Sequence, residues 1–228
     1  MMTTPPSHQE QVKTARLAGV WYLLMAISGI LGFMVFHPQV FVSTDPQQTL
    51  TNLMEHTTLA RTRLLMELLI VVSQALTALW FYKLFRNEKG WMALAVGIWG
   101  TVNAVIIMVS AVAMGAALDI AHATQAVESQ GIFIDLLTRI ITHAWGVGGL
   151  FFGLWLIPLG TLIVQSQRMP LWLGRTLILG GIGYLVSTVL TYAGVEGDWV
   201  GLLNLPATVG EFWMIGYLLI FGIRPKAA

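Results

Sequence analysis

Residues 91–118, WMALAVGIWGTVNAVIIMVSAVAMGAAL, form a run of 28 positions without a charged side chain. An apolar helix needs about 20 residues to cross the hydrocarbon core of a bilayer, so this run is long enough to span one. Five other apolar runs meet the same requirement. The six predicted spans cover residues 17–36, 64–85, 91–118, 140–164, 171–193 and 205–223. The sequence therefore predicts an all-α fold, a polytopic membrane bundle of six transmembrane helices.

The composition of the whole chain agrees with this prediction. Of its 228 residues, 56% are apolar and 10% are charged, whereas a soluble domain is about 45–50% apolar and about 25% charged. The formal net charge of +1 argues against a nucleic-acid partner. Because the chain has no cysteine, disulfides, iron–sulfur clusters and a thiol nucleophile are excluded. We predict the lipid bilayer as the main partner, and no cofactor.

The distribution of basic residues predicts the orientation in the membrane. Nine of the 12 Lys and Arg residues lie on the side of the N-terminus, and only Arg61, Arg63 and Arg139 lie on the other side. Cytoplasmic loops carry the excess of positive charge, so both termini are predicted to be cytoplasmic. The predicted organisation is an N-terminal tail (1–16), a transmembrane domain (17–224) and a C-terminal tail (225–228). Tyr22 and Trp91, near span ends, are typical of interfacial aromatic anchors.

The loop between the first two spans contains a helix-start signal. In Ser43-Thr44-Asp45-Pro46, Asp45 is suited to the N-cap and Pro46 to the first helical position. Leu50, Leu53 and Met54 then recur at helical spacing. We expect a short amphipathic helix at the outer interface between spans one and two.

Ionisable residues inside the predicted spans are the strongest functional signal. An ionised side chain at such a position costs about 2.5 kcal/mol or more, so it is a functional hypothesis by default. Glu67, His143 and Glu211 lie one to two turns inside the second, fourth and sixth spans, measured from the outer side. Asp119 and His122 close the third span at a similar depth. This common depth predicts a polar pocket on the extracytoplasmic side.

Two basic residues complete the predicted pocket. Arg63 precedes Glu67 by four residues and Arg139 precedes His143 by four, so each pair shares one helix face. The full predicted site comprises Glu67, His143, Glu211, Arg63, Asp119, His122 and Arg139. A plainer interpretation is that local ion pairs, Arg63 with Glu67 and Arg139 with Asp135, fix the helix ends.

Three functions remain open at this point. The first is binding of a small-molecule ligand in the polar pocket, with a sensing or accessory role. The second is a small-molecule or proton-coupled transporter, with Gln74 and Asn103 lining the path inward. The third is an intramembrane hydrolase that uses histidines and carboxylates, with or without a metal. Zinc ligands would come from His122, His143, Glu67 and Glu211. These ligands are scattered over four helices and no HExxH motif is present, so the pattern favours a role other than an enzyme.

The fourth and fifth spans are rich in glycine. Gly149 and Gly153 form a small-xxx-small pair, which lets two helix backbones approach closely in lipid. We expect these glycines to pack helices within one chain. The alternative is a homodimer formed through the glycine-rich spans.

Several stretches resemble a known family. They are RLAGVWYLLMAISGILG (16–32), VSTDPQQTLTNLMEH (42–56), HAWGVGGLFFGLWLIPLGTLIVQSQRMPLWLG (143–174), GGIGYLV (180–186) and LPATVGEFWMIGYLLIFG (205–222). They are similar to motifs of the prokaryotic multi-pass membrane proteins catalogued as domain of unknown function 4386. The resemblance implies six helices and a prokaryotic cell membrane, and it supplies no activity.

Carried over residue by residue, the resemblance places Arg61, Glu67, His143, Gly146 and Glu211 at positions where the family is polar or small. This chain lacks the Arg that the family often has near residues 100–103.

Overall fold

The structure, a computed structural model, describes residues 6–124 and 127–225. Within these residues the fold is all-helical, as predicted, and contains no strand. The α-helices are α1 (His8–Gly29), α2 (His37–Val40), α3 (Pro46–Glu55), α4 (Thr57–Phe85), α5 (Gly90–Ala121), α6 (Val127–Ser166), α7 (Leu171–Tyr192), α8 (Asp198–Leu202) and α9 (Leu205–Ile220). A π-helical segment, Ile30–Phe36, joins α1 to α2.

The prediction of six spans is confirmed by length and composition. The helical stretches that are long and apolar enough to cross a membrane are His8–Val40, Thr57–Phe85, Gly90–Ala121, Val127–Ser166, Leu171–Tyr192 and Asp198–Ile220. The sidedness of the two termini stays a prediction. Residues 1–5 and 226–228, which belong to the predicted terminal tails, lie outside the described part of the chain.

Several helices extend beyond the predicted spans; α4, for example, begins at Thr57 rather than at residue 64. Residues 119–139 are expected to form an outer loop, but α6 already begins at Val127. The reason is that Ile134, Thr138 and Ile141 are buried along one side of this extension at helical spacing. The first span continues past its predicted end at Phe36, because the π-helical segment leads directly into α2.

The predicted helix between the first two spans is confirmed as α3. The Asp45 carboxylate accepts a hydrogen bond from the backbone N–H of Gln48 at 2.9 Å, which caps the first turn. Leu50 and Leu53 are buried, and the polar residues Gln48, Thr51 and Glu55 are exposed. Met54, which the spacing places next to Leu50, is 53% exposed and so does not belong to the buried face. The helix is therefore amphipathic, as the spacing predicts.

The chain divides into two compact units. The first comprises Met1–Leu23, Gln74–Asn103 and Gly149–Ala228, and the second comprises Leu24–Ser73 and Ala104–Gly148. The core of the second unit is a cluster of buried apolar side chains from several helices. It includes Val40, Phe41, Leu50, Leu53, Met114, Ile134 and Ile141.

In the first unit, glycines bring α6 and α7 into close contact. A Cβ atom added to Gly153 would lie 2.6 Å from the carbonyl oxygen of Gly181, and one added to Gly160 would lie 2.5 Å from that of Gly174. Each pair is two helical turns from the other on both helices, which run antiparallel. These glycines pack within one chain, as expected. The homodimer alternative stays a prediction.

Candidate functional site

A buried ion pair lies in the second unit, in the N-terminal half of α4. Arg63 and Glu67 are each 1% exposed, and the Arg63 guanidinium donates to Oε2 of Glu67. Trp145 of α6 donates its Nε1–H to the other carboxylate oxygen, Oε1, at 2.9 Å. Both oxygens of Glu67 therefore have a partner within this unit. A charge-assisted pair of this kind lowers the cost of burying each charge, which is the plainer interpretation given above.

An open cavity lies in the same unit, between α4 and the C-terminal end of α5. Its volume is about 400 Å³. It is lined by Arg61, Leu64, Gly115, Leu118, Asp119 and His122. Two residues of the predicted site, Asp119 and His122, thus line one cavity. Arg61 adds a guanidinium to them.

The His122 ring is held at the cavity by two hydrogen bonds. Nδ1 lies 2.9 Å from the carbonyl oxygen of Leu118, and Nε2 lies 3.1 Å from Oγ1 of Thr57. Since a carbonyl oxygen only accepts, Nδ1 carries a proton, and in the neutral ring Nε2 accepts from the Thr57 hydroxyl. The Thr57 hydroxyl also lies within hydrogen-bond distance of the carbonyl of Leu53, at 3.0 Å. The contacts with Leu118 and Thr57 fix the orientation of the His122 ring at the cavity.

The charged groups of the cavity remain accessible. Neither Arg61 nor Asp119 forms an ion pair with another residue of the described ranges, 6–124 and 127–225. A Cβ atom added to Gly115 would meet no atom within 4 Å, so the α5 wall is open at that position. The cavity therefore offers one cationic and one anionic group to the same small volume.

Arg139 and His143 line a different, mostly apolar groove of the second unit. Its volume is about 480 Å³, and its other lining residues are Ile106, Val109, Leu136, Ile140, Ala144 and Val147. Arg139 is 68% exposed and donates from Nε to Oδ2 of Asp135 at 2.9 Å, the second predicted ion pair. Arg139 and His143, four residues apart on α6, line this groove together.

Glu211 belongs to the first unit, at the middle of α9. Tyr22, which is 1% exposed, donates its hydroxyl to Oε1 of Glu211 at 2.7 Å. The Tyr22 ring packs against Trp155 and Phe81, with ring centroids 5.5 and 5.9 Å away. The interpretation of Tyr22 as an interfacial anchor is therefore wrong, because its ring is buried and its hydroxyl binds a carboxylate. That all seven predicted residues share one pocket stays a prediction.

Gln74 and Asn103, proposed above for a transport path, are both fully buried in the first unit. Neither amide has a hydrogen-bond partner among the described residues. The amide nitrogen of Gln74 lies beside Gly100, one turn from Asn103 on α5. An unsatisfied polar group in a membrane span costs several kcal/mol, so a hydrogen bond to either amide would be strongly stabilising. The predicted path itself stays a prediction.

The hydrolase alternative with a metal requires several His, Asp or Glu side chains close to one another. Within residues 6–124 and 127–225, no three His, Asp or Glu side chains are close enough together to hold a metal ion.

The apolar helices and the polar groups between them define the class of this molecule, an all-helical, multi-pass membrane protein. A family model described as Domain of unknown function (DUF4386) matches residues 17–222. The chain therefore belongs to this family, as the resemblance predicts.

One curated relative is described as an uncharacterised protein of Archaeoglobus fulgidus. It is 38% identical over 70 residues, which cover 30% of this chain and 43% of the relative. The chain thus spans less than half the length of that relative. No solved structure matches the chain.

Four residues that line the cavity were not included in the site predicted from the sequence: Arg61, Leu64, Gly115 and Leu118. Arg61 lies outside the predicted second span and is therefore not one of the ionisable residues inside the spans. Gly115 carries no side chain and gave no polar signal. The two arginines near the start of α4 could have pointed to Arg61, but nothing in the sequence marks the open space at Gly115.

Proposed function

We propose that the protein binds a small molecule that carries both an anionic and a cationic group, in the cavity lined by Arg61, Asp119 and His122. The observation that carries the proposal is the placement of a guanidinium, a carboxylate and an imidazole around one cavity of about 400 Å³. This volume lies in the range of small-molecule sites, which is roughly 300–1,000 Å³.

Each lining group has a defined task in this proposal. Arg61 binds the anionic group, because a guanidinium matches a carboxylate or phosphate with two parallel hydrogen bonds. Asp119 binds the ammonium group. His122 contributes a hydrogen bond from a ring whose orientation is fixed by Leu118 and Thr57. Leu64 and Leu118 contact the apolar part of the ligand.

The proposal includes the orientation predicted from the basic residues. With both termini cytoplasmic in a prokaryotic cell membrane, the cavity opens to the extracytoplasmic side. A site there suits sensing of an external molecule or an accessory role in a membrane process.

Orientation is testable because the chain contains no cysteine. Ser43→Cys, in an exposed outer loop, and Asn87→Cys, in an exposed inner turn, each create a single labelling site. A membrane-impermeant maleimide should label the first variant in intact cells and the second only after lysis. The reverse pattern would overturn the orientation.

Ligand binding is tested by saturation-transfer NMR on the purified full chain. The probes are the standard amino acids, phosphoethanolamine, and analogues of each that lack the amine or the acid. Loss of one charge-assisted hydrogen bond, worth about 1.5–3 kcal/mol, corresponds to a roughly tenfold to hundredfold loss of affinity. We expect this loss for zwitterions in Arg61→Gln and in Asp119→Asn, and none in the control Arg139→Gln, which lines the other groove. No binding to any probe, or equal losses in all three variants, would refute the proposal.

A further inference from the structure

A second open cavity lies in the first unit, where α9 ends and the chain turns toward the start of α1. Its volume is about 540 Å³. The residues that matter for its chemistry are His8, Trp213, Tyr217, Phe221, Ile223 and Arg224. None of them belongs to the binding site proposed above, so the inference drawn from this cavity is independent of that proposal.

The turn after α9 is fixed by backbone hydrogen bonds. Gly222 has a φ of +72°, which favours glycine, and its N–H donates to the carbonyl of Leu218 at 3.1 Å. The backbone N–H of Arg224 donates to the carbonyl of Arg168 at 3.0 Å, and Nε of Arg168 donates to the carbonyl of Arg224 at 2.8 Å. These reciprocal bonds hold the backbone of Arg224 in place at the cavity.

The backbone of Arg224 is held by hydrogen bonds, but its side chain is available for a ligand. Its guanidinium has no hydrogen-bond or ion-pair partner among residues 6–124 and 127–225. His8, at the first position of α1, faces the same cavity. The cavity therefore has a cationic, hydrogen-bond-donating mouth.

The acidic residues near this mouth are engaged elsewhere. Glu10 accepts the backbone N–H of Ser7 at 2.8 Å, and Ser7 accepts that of Glu10, so the two form a capping box at the start of α1. Glu88 pairs with Arg168. No carboxylate lines the cavity within the described residues. Charge complementarity thus favours an anionic group at Arg224 and His8.

The opposite wall of the cavity is aromatic. Trp213, Tyr217 and Phe221 are spaced four residues apart and therefore lie along one side of α9. Trp213 and Phe221 are 40% and 65% exposed, and the rings of Tyr217 and Phe221 have centroids 5.3 Å apart. This strip runs from the cationic mouth along the apolar part of the span. Exposed aromatic rings near the end of a membrane span are typical of contact with lipid.

We propose that this cavity binds an anionic phospholipid. The phosphate lies against Arg224 and His8, and an acyl chain lies along the strip formed by Trp213, Tyr217 and Phe221. A polar anionic end and an apolar chain are the two features that the cavity matches, and one phospholipid supplies both. Basic residues at the membrane surface attract anionic lipid headgroups.

The test is native mass spectrometry of the full chain, released from detergent with a fixed excess of one lipid. The probes are phosphatidylglycerol, phosphatidylcholine with the same acyl chains, and glycerol 3-phosphate. We expect retention of phosphatidylglycerol at least tenfold above the other two. Equal retention of phosphatidylglycerol and phosphatidylcholine would overturn the anionic selectivity. Retention of glycerol 3-phosphate at the level of phosphatidylglycerol would show a free-phosphate site instead of a lipid site.

Variants locate the binding on the chain. Arg224→Gln should lower phosphatidylglycerol retention about tenfold. The control Arg86→Gln, an exposed cation on the turn after α4, should leave it unchanged. Phe221→Ala removes an exposed ring and should weaken binding of the lipid without lowering the melting temperature of the lipid-free protein. Unchanged retention in both Arg224→Gln and Phe221→Ala would refute the proposal.

Discussion

Replacing Gly153 with alanine tests the close packing of α6 against α7. The new Cβ atom would lie 2.6 Å from the carbonyl oxygen of Gly181 and 2.8 Å from the side chain of Leu185. A relaxed carbon–oxygen contact is about 3.3 Å or longer, so the helices must separate by roughly 0.7 Å at this point. Overpacking of this kind costs about 1–3 kcal/mol.

A matched control removes the effect of helix propensity. Gly216 lies in α9, and a Cβ atom added there would meet no atom within 4 Å. Alanine is better than glycine in a helix by about 1 kcal/mol at both positions. The difference in the free energy of unfolding between Gly153→Ala and Gly216→Ala is therefore the packing cost alone, about 1–3 kcal/mol.

The assay is reversible unfolding of the purified protein in mixed micelles, monitored by far-UV circular dichroism. Gly153→Ala should unfold at a lower denaturant fraction than Gly216→Ala, and Gly216→Ala at a fraction equal to or higher than that of the wild type. If the free energies of unfolding of the two variants agree within about 0.5 kcal/mol, the packing argument is refuted. Effects at independent sites are additive to about this value. A dependence of the Gly153→Ala effect on protein dilution would instead favour the homodimer alternative.

Three further predictions concern buried polar contacts. Glu67→Leu leaves the Arg63 guanidinium buried without its anion and should lower the free energy of unfolding by about 3–5 kcal/mol, whereas adding Arg63→Met should restore most of the loss in the same denaturation assay. Tyr22→Phe removes the hydrogen bond to Glu211 and should cost about 1.5–3 kcal/mol, and this cost should vanish when it is measured in a Glu211→Leu background. Arg168→Gln removes the charge that pairs with Glu88 and binds the C-terminal backbone; limited proteolysis should then cleave the C-terminal segment faster than in the wild type, and an unchanged cleavage rate would contradict this role.

Local patterns account for most of what the sequence predicted correctly. The capped helix after Asp45 and the ion pairs Arg63–Glu67 and Asp135–Arg139 involve residues three or four positions apart. Such contacts are fixed by helix geometry as soon as the helix forms. The six spans follow in the same way from the length of each apolar run.

The contacts that were not predicted join residues far apart in the chain. Trp145 donates to Glu67 across 78 positions, and Tyr22 donates to Glu211 across 189. Such contacts depend on which helices pack against each other in the folded chain. The pattern of a single apolar run does not contain this information. The open wall at Gly115 is a further case, because a cavity is defined by the side chains that surround it.

The π-helical segment is also absent from the sequence pattern. Residues 30–36, ILGFMVF, continue the apolar run without proline or any polar break. The segment instead coincides with packing of Phe33 against Trp145 of α6, with ring centroids 4.8 Å apart, and with Gly32 facing Met66 of α4. Tertiary contacts of this kind, rather than local propensity, distinguish a π-helical turn from the α-helix around it.

The most direct test of the proposed binding site fills its cavity without changing any of its charges. Gly115→Leu places a side chain in the open space on α5, and Gly216→Leu places the same side chain in open space on α9. Isothermal titration calorimetry with the zwitterion that binds the wild type should show loss of binding, by at least tenfold, in Gly115→Leu alone. Equal affinity in the two variants would contradict the assignment of the site to the cavity of Arg61, Asp119 and His122.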